Sequence, residues 1–200
     1  MKKKQNIIFL LLSILIILTF ITSCTPKTTE TVETATSSVL SETTQETQVK
    51  QTIETSIKYP EPISFVNDYV GFFTEDEITQ MESYLKDFEK KTTTQIVIVT
   101  VKSLEGLTVD KYAYELFNTW GIGKAGKNNG VLLLISPEKT SSGNRPLRIE
   151  VGTGLENTIT DAVASQILKE TIVPYLNKGE FGKGCFEGVK AIAEKILSSQ

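Results

Sequence analysis

The chain has 200 residues, 40% of them hydrophobic and 22% charged, with a formal net charge of −3. These are globular proportions, with room for one domain and attachments or for two small domains. The mild acidity argues against nucleic acid as a partner, and the absence of histidine excludes histidine nucleophiles, general acids and metal ligands.

The first segment is unlike the rest. Met1–Lys4 carries three lysines, residues 7–21 are apolar apart from Ser13 and Thr19, and Ile21-Thr22-Ser23-Cys24 closes the run. A run of about 15 apolar residues is shorter than the ~20 of a permanent spanning helix. Residues 1–23 are therefore predicted to be a secretory signal with a cysteine at the cut. Small residues before Cys24 resemble the bacterial lipobox, in which the cysteine is acylated, palmitate being a usual chain, and becomes the mature N-terminus. An uncleaved anchor is the alternative, and both place the remainder outside the cytoplasmic membrane. Loss of residues 1–23 removes three lysines and no acid, which takes the formal charge from −3 to −6. With Cys24 lipidated, Cys185 is the only free thiol, and its apolar-periodic surroundings predict a small buried hydrophobe.

Residues 24–58 are dominated by Thr, Ser, Glu and Gln. Such a composition buries too little apolar surface to offset its ordering entropy, so a disordered spacer of about 30 residues is predicted. Tyr59-Pro60-Glu61-Pro62 stiffens the chain where a domain over residues 59–200 begins.

Thr74-Glu75-Asp76-Glu77 has capping-box spacing, and Ile78, Met81, Leu85 and Phe88 follow at helical intervals, which predicts a helix from Thr74 to about Lys91. TQIVIVTV, residues 94–101, reads as a strand buried on both faces. A second helix is predicted from Thr108 to about Thr119. GVLLLIS (130–136) is another buried strand, and PLRIEV (146–151) alternates like a strand with one wetter face. The polar connector SPEKTSSGNR makes the last two an antiparallel hairpin. Two helices follow, from Thr160 to about Tyr175 and from Gly184 to about Ser198. This order predicts an α/β fold, a small mixed sheet with helices on both faces.

The helix-linked strands should be parallel, joined by a right-handed crossover. The hairpin then brings Gly152–Glu156 beside Asn128-Asn129-Gly130, with the start of the Thr160 helix close by. The intervening stretch RIEVGTGLENTITDA is not a dinucleotide fingerprint, because Asn157 stands where a third glycine is required, and no P-loop occurs; no nucleotide cofactor is expected. Its oxygens suit a hard cation better. Glu150, Glu156, Asn157 and Asp161 are local, Asn128 and Asn129 come alongside, and calcium fits such ligands best. Plainer readings stand beside this one: Asn-Asn-Gly as a turn, Asp161 as a favourable charge at a helix start, and Glu150 facing water.

VNDYVGFFTEDE, TTTQIVIVTVKSLEG, YAYELFNTWGIGKAGKNNGVLLLIS, RIEVGTGLENTITDA and IVPYLNKGEFGKGCFEGV occur in the order of TPM-domain proteins, a family of bacterial envelopes and the thylakoid lumen, which this chain resembles. The resemblance implies a three-layer α/β/α sandwich. It also implies calcium binding and a weak acid phosphatase activity, both known in some members. The polar cluster it carries over is Asp68, Asn128, Asn129, Glu156 and Asp161; Asp68 comes from the resemblance alone. Other members often have an acid where Asn128 or its neighbour stands, and many continue into a membrane helix, in whose place this chain has Cys24.

Two functions follow. The preferred one is a calcium-ordered binding or assembly module, anchored to the membrane by lipid on Cys24 and recognising an envelope membrane protein or another envelope ligand. A flexible chain spans about 5 to 6 Å times the square root of its length, so the spacer reaches tens of ångströms. The alternative is phosphomonoester hydrolysis by a cation-activated water, with Asp68 or Asp161 as base. Cys185 starts no CxxxxxR loop and no DxDx[TV] motif occurs, so nucleophilic phosphatase chemistry is not expected.

Overall fold

The β-branched run Gln95–Thr100 (β2) and the leucine-rich Gly130–Ile135 (β3) leave no polar face to turn toward water, so both are buried in the middle of a sheet. A computed structural model describes residues 57–137, 139, 143 and 145–199. The predicted signal segment, Cys24 and nearly all of the spacer lie outside the described residues. The elements are β1 (Val66–Asp68), α1 (Glu75–Thr92), β2, α2 (Val109–Trp120), β3, β4 (Leu147–Val151), α3 (Asp161–Gln166), a π-helical segment (Ile167–Ile172), α4 (Val173–Leu176) and α5 (Phe181–Leu197).

The sheet order is β1-β2-β3-β4. β1, β2 and β3 run parallel, with Gln95 beside Gly130 and Thr100 beside Ile135, and β4 runs antiparallel to β3, with Val151 beside Val131. Alternation divides the core in two. Ile96, Ile98, Val131, Leu133 and Ile149 face α1, α3, the π segment and α5. Val97, Val99, Leu132 and Leu134 face α2. The result is an α/β sandwich of three unequal layers. Both cores draw on residues from Tyr59 onward, and one compact unit runs from Ile53 to Gln200.

Thr74 caps α1: its hydroxyl accepts from the Glu77 N–H at 3.3 Å while the Glu77 carboxylate accepts from the Thr74 N–H at 2.9 Å. Such a cap contributes ~1 kcal/mol. The entrance strap docks on α2, where the Tyr59 ring meets Tyr112 edge-on at 5.1 Å and Trp120 Nε1–H donates to the Pro60 carbonyl at 2.9 Å. Trp120 is accordingly a packing residue. Cys185 is fully buried, and burial pushes its thiol pKa up, so it is held as the neutral thiol.

Three details differ from the sequence reading. β1 is an additional strand: only three residues long and containing Asn and Asp, it has no propensity of its own, and its pairing with β2 creates it. The helix expected from Thr160 to Tyr175 is interrupted by the π segment. Pro174 lacks the N–H that would bond four residues back, and the widened turn absorbs the defect, with the Val173 N–H reaching the Leu168 carbonyl five residues back. The last helix starts at Phe181 rather than Gly184, secured by Phe181 stacking on Phe72 at 4.2 Å.

Candidate functional site

The stretch after β4 is a close-approach corner. Gly152 N–H donates to the Gly130 carbonyl at 2.9 Å and Gly154 N–H to the Asn128 carbonyl at 3.0 Å, which seals the end of the hairpin. A Cβ at Gly152 or Gly154 would overlap the carbonyls of Asn128 and Lys127. Asn128 itself adopts a left-handed φ of 48°, a conformation asparagine tolerates better than most residues. The two glycines therefore serve the approach of two backbones.

Clefts lie on both sides of this corner. One, of about 480 Å³, runs between the corner and α2 and is lined by Asn128, Glu150 and Glu156 on the polar side and by Tyr114 and Phe117 on the other. The second, of about 440 Å³, faces the start of α3 and holds Glu150, Glu156, Asn157 and Asp161. Glu150 and Glu156 thus border both. Lys124 pairs with Glu89 at 2.7 Å and Lys127 donates to the Thr93 hydroxyl at 2.9 Å, so the basic loop beside the first cleft is tied down.

The dominant charge at this edge is Arg148. Its guanidinium reaches Glu150 at 3.1 Å, Asp110 at 3.2 Å and Asp161 at 3.5 Å. β4 supplies Arg148 and Glu150 two residues apart on one face, the start of α2 supplies Asp110, and the start of α3 supplies Asp161. Burial raises the Glu150 pKa above its ordinary 4.5, and the hydrogen bond and charge of Arg148 oppose that rise. Asp110 was not a sequence candidate, because nothing in its local pattern distinguishes it from a helix-start acid.

The five residues of the expected cation cluster are not brought to one place. Asn128 and Glu156 share the first cleft, and Glu156 and Asp161 share the second. Asn129 turns inward, its amide donating to the Thr93 carbonyl at 3.0 Å and accepting from the Lys124 N–H at 3.0 Å. Asp68 lies at the other end of the sheet: it pairs with Thr100, whereas Asn129 adjoins Gln95 through its carbonyl. Five residue steps along β2 separate Gln95 from Thr100, a rise of about 17 Å. The Asp68 carboxylate is also fully used, accepting from the Thr100 hydroxyl at 2.5 Å, the Gly71 N–H at 3.0 Å and the Phe73 N–H at 2.8 Å.

For a hard cation the donors lining the first cleft are Asn128, Glu156 and the one Glu150 oxygen that the 3.1 Å ion pair with Arg148 leaves over. All are oxygens, the right chemistry for calcium, but three side chains fall short of its six to eight ligands. Among the described residues no three acidic or cysteine side chains group as metal ligands.

The TPM domain family matches residues 66–195. Among solved structures, the N-terminal domain of a protein from P. gingivalis is 26% identical over 68% of this chain and 83% of that one, with a TM-score of 0.59. The BA42 protein of the psychrophilic bacterium Bizionia argentinensis is 19% identical over 65% of this chain and 85% of its own, with a TM-score of 0.55, a likeness of fold. No curated protein matches the chain.

Proposed function

This chain belongs to the TPM-domain family, and we propose that it is a lipid-anchored interaction module on the outer side of the cytoplasmic membrane. Its binding face is the corner between Asn128, Glu150 and Glu156, where a weakly held calcium ion would stiffen the polar wall. The observation carrying this reading is the first cleft: it is lined by three residues with oxygen-bearing side chains and by aromatic residues, and Tyr114 on its wall is 61% exposed. An exposed tyrosine beside a polar concavity is the composition of a protein-binding anchor. Asn128, Glu150 and Glu156 would hold the ion; bound there, calcium supplies positive charge and fixes the orientation of the carboxylates.

The hydrolytic alternative asks for a free base beside a phosphate. Asp68 accepts from four donors at the far end of the sheet, and Asp161 stands beside Arg148 on the second cleft. Neither faces the first cleft, which favours binding over turnover.

The test is a calcium titration of the chelator-treated domain, residues 57–200, followed by NMR. The expected result is saturable shifts at Asn128, Glu150 and Glu156 with a dissociation constant on the order of 10⁻⁴–10⁻³ M, abolished by Glu156→Gln, without hydrolysis of a phosphomonoester. Shifts absent from the cleft, or calcium-dependent turnover, would sink the reading.

A further inference from the structure

We propose that a different cleft, at the opposite end of β4, binds an organic phosphate: an anionic head group carrying a short apolar body. This cleft measures about 540 Å³, within the range of small-molecule sites. Its floor is apolar, formed by Leu147 at the start of β4, Leu168 of the π segment and Leu176 of α4. Its rim is cationic, with Lys139 and Arg145 from the β3–β4 connector and Lys169 from the π segment. Among the described residues lining it there is no carboxylate, in a chain whose acids outnumber its bases by 24 to 21.

The three cations have no internal counter-charge among the described residues. Neither Lys139 nor Lys169 makes an ion pair there, and the contact of Arg145 is with the Phe181 ring, 4.9 Å from its centroid. A ring beneath the guanidinium holds its plane and leaves the N–H fork to an outside acceptor. Lys178 and Lys183 stand over Tyr175 nearby, the latter also 3.9 Å from Glu180, and add to the positive field. Uncompensated cations at the mouth of a low-dielectric hollow focus potential onto an incoming anion. Three of them around one opening suit a doubly charged tetrahedral head better than a single carboxylate, and arginine matches phosphate oxygens two at a time. The leucines below would take the apolar part.

The local backbone is consistent with a site. Leu168 and Lys169, one on the floor and one on the rim, are consecutive residues of the π segment, whose wide turn displaces them from where a regular helix would put them. Such interruptions recur at functional positions. The proposal is one of binding, with no bond made or broken, and it is independent of the calcium position at the other end of β4.

The experiment uses domain 57–200 and NMR detection, with hexyl phosphate, inorganic phosphate and hexanol as separate probes, and vesicles of phosphatidylglycerol or phosphatidylcholine in a sedimentation arm. Hexyl phosphate should shift Leu147, Leu168 and Lys169 saturably and bind more tightly than phosphate or hexanol, and added salt should weaken it. Lys169→Gln should weaken binding at least about fivefold and Arg145→Gln about tenfold; Lys86→Gln, on the outer face of α1, should not. If phosphatidylglycerol vesicles bind the wild type and not Lys169→Gln, the head group of a lipid is the source; if only hexyl phosphate does so, a free ester is. Absence of cleft-confined binding in both arms, or equal binding by all three variants, overturns the proposal. Because Lys169 makes no ion pair among the described residues, its substitution tests binding even where Arg145→Gln disturbs the Phe181 contact.

Discussion

The Thr100 hydroxyl donates to Asp68 Oδ1 at 2.5 Å, tying the ends of β1 and β2 together, while Asp68 Oδ2 accepts from the Phe73 N–H at 2.8 Å. The carboxylate most conspicuous in the VNDYVG motif is thus the knot that folds the loop into α1. Asp68→Ala should destabilise the domain by about 2–3 kcal/mol, since it strips partners from partly buried N–H groups. Calcium affinity should be unchanged. Urea denaturation and the calcium titration measure the two separately, and a variant that keeps its stability but loses calcium would reverse the assignment.

Gly154→Ala places a methyl group against the Lys127 carbonyl. We expect a loss of about 1–3 kcal/mol from forced displacement of the corner, together with weaker calcium-induced shifts at Asn128 and Glu156. Unaltered thermal unfolding would mean that the corner is looser than its hydrogen bonds indicate.

Glu150 gives a pH dependence of defined sign. Burial raises its folded-state pKa above the ordinary 4.5, so the native state binds more proton than the unfolded chain between 4.5 and the raised value. Its contribution to stability is complete below about pH 4.5 and is lost as pH rises through the folded pKa. Melting temperatures of wild type and Glu150→Gln, compared from about pH 4 to pH 7, should diverge in the variant's favour as pH rises. Parallel curves would show that Arg148 cancels the burial.

Lipidation is a separable prediction. Cys24→Ser should abolish incorporation of labelled palmitate and move the protein from the membrane to the soluble fraction, because one permanent anchor is then missing. A variant that stays with the membrane would point instead to an uncleaved apolar segment.

Much of the fold was readable without coordinates. β2 and β3 announce themselves because uninterrupted β-branched and leucine runs can satisfy neither solvent nor a half-wet face, and Thr74 with Glu77 marks the start of α1. β1 was not readable: Val66-Asn67-Asp68 is a strand only because β2 offers it an edge. The π segment follows from Pro174, but a proline after a helix pattern predicts equally well an end or a kink.

The candidate site divides along the same line. Sequence alone determined that the loop after β4 meets Asn128 through two glycines, because hairpin pairing fixes which residues lie opposite once register is set by alternation. It also determined that Glu150 and Glu156 belong to that corner. Only the tertiary structure decided which oxygens remain available there. Asn129 turns inward to Thr93 and Lys124, Arg148 draws Asp110, Glu150 and Asp161 around itself, and Asp68 sits about 17 Å along the strands from the corner. Side-chain partners are chosen by packing among elements distant in the chain, and local pattern carries no record of that choice.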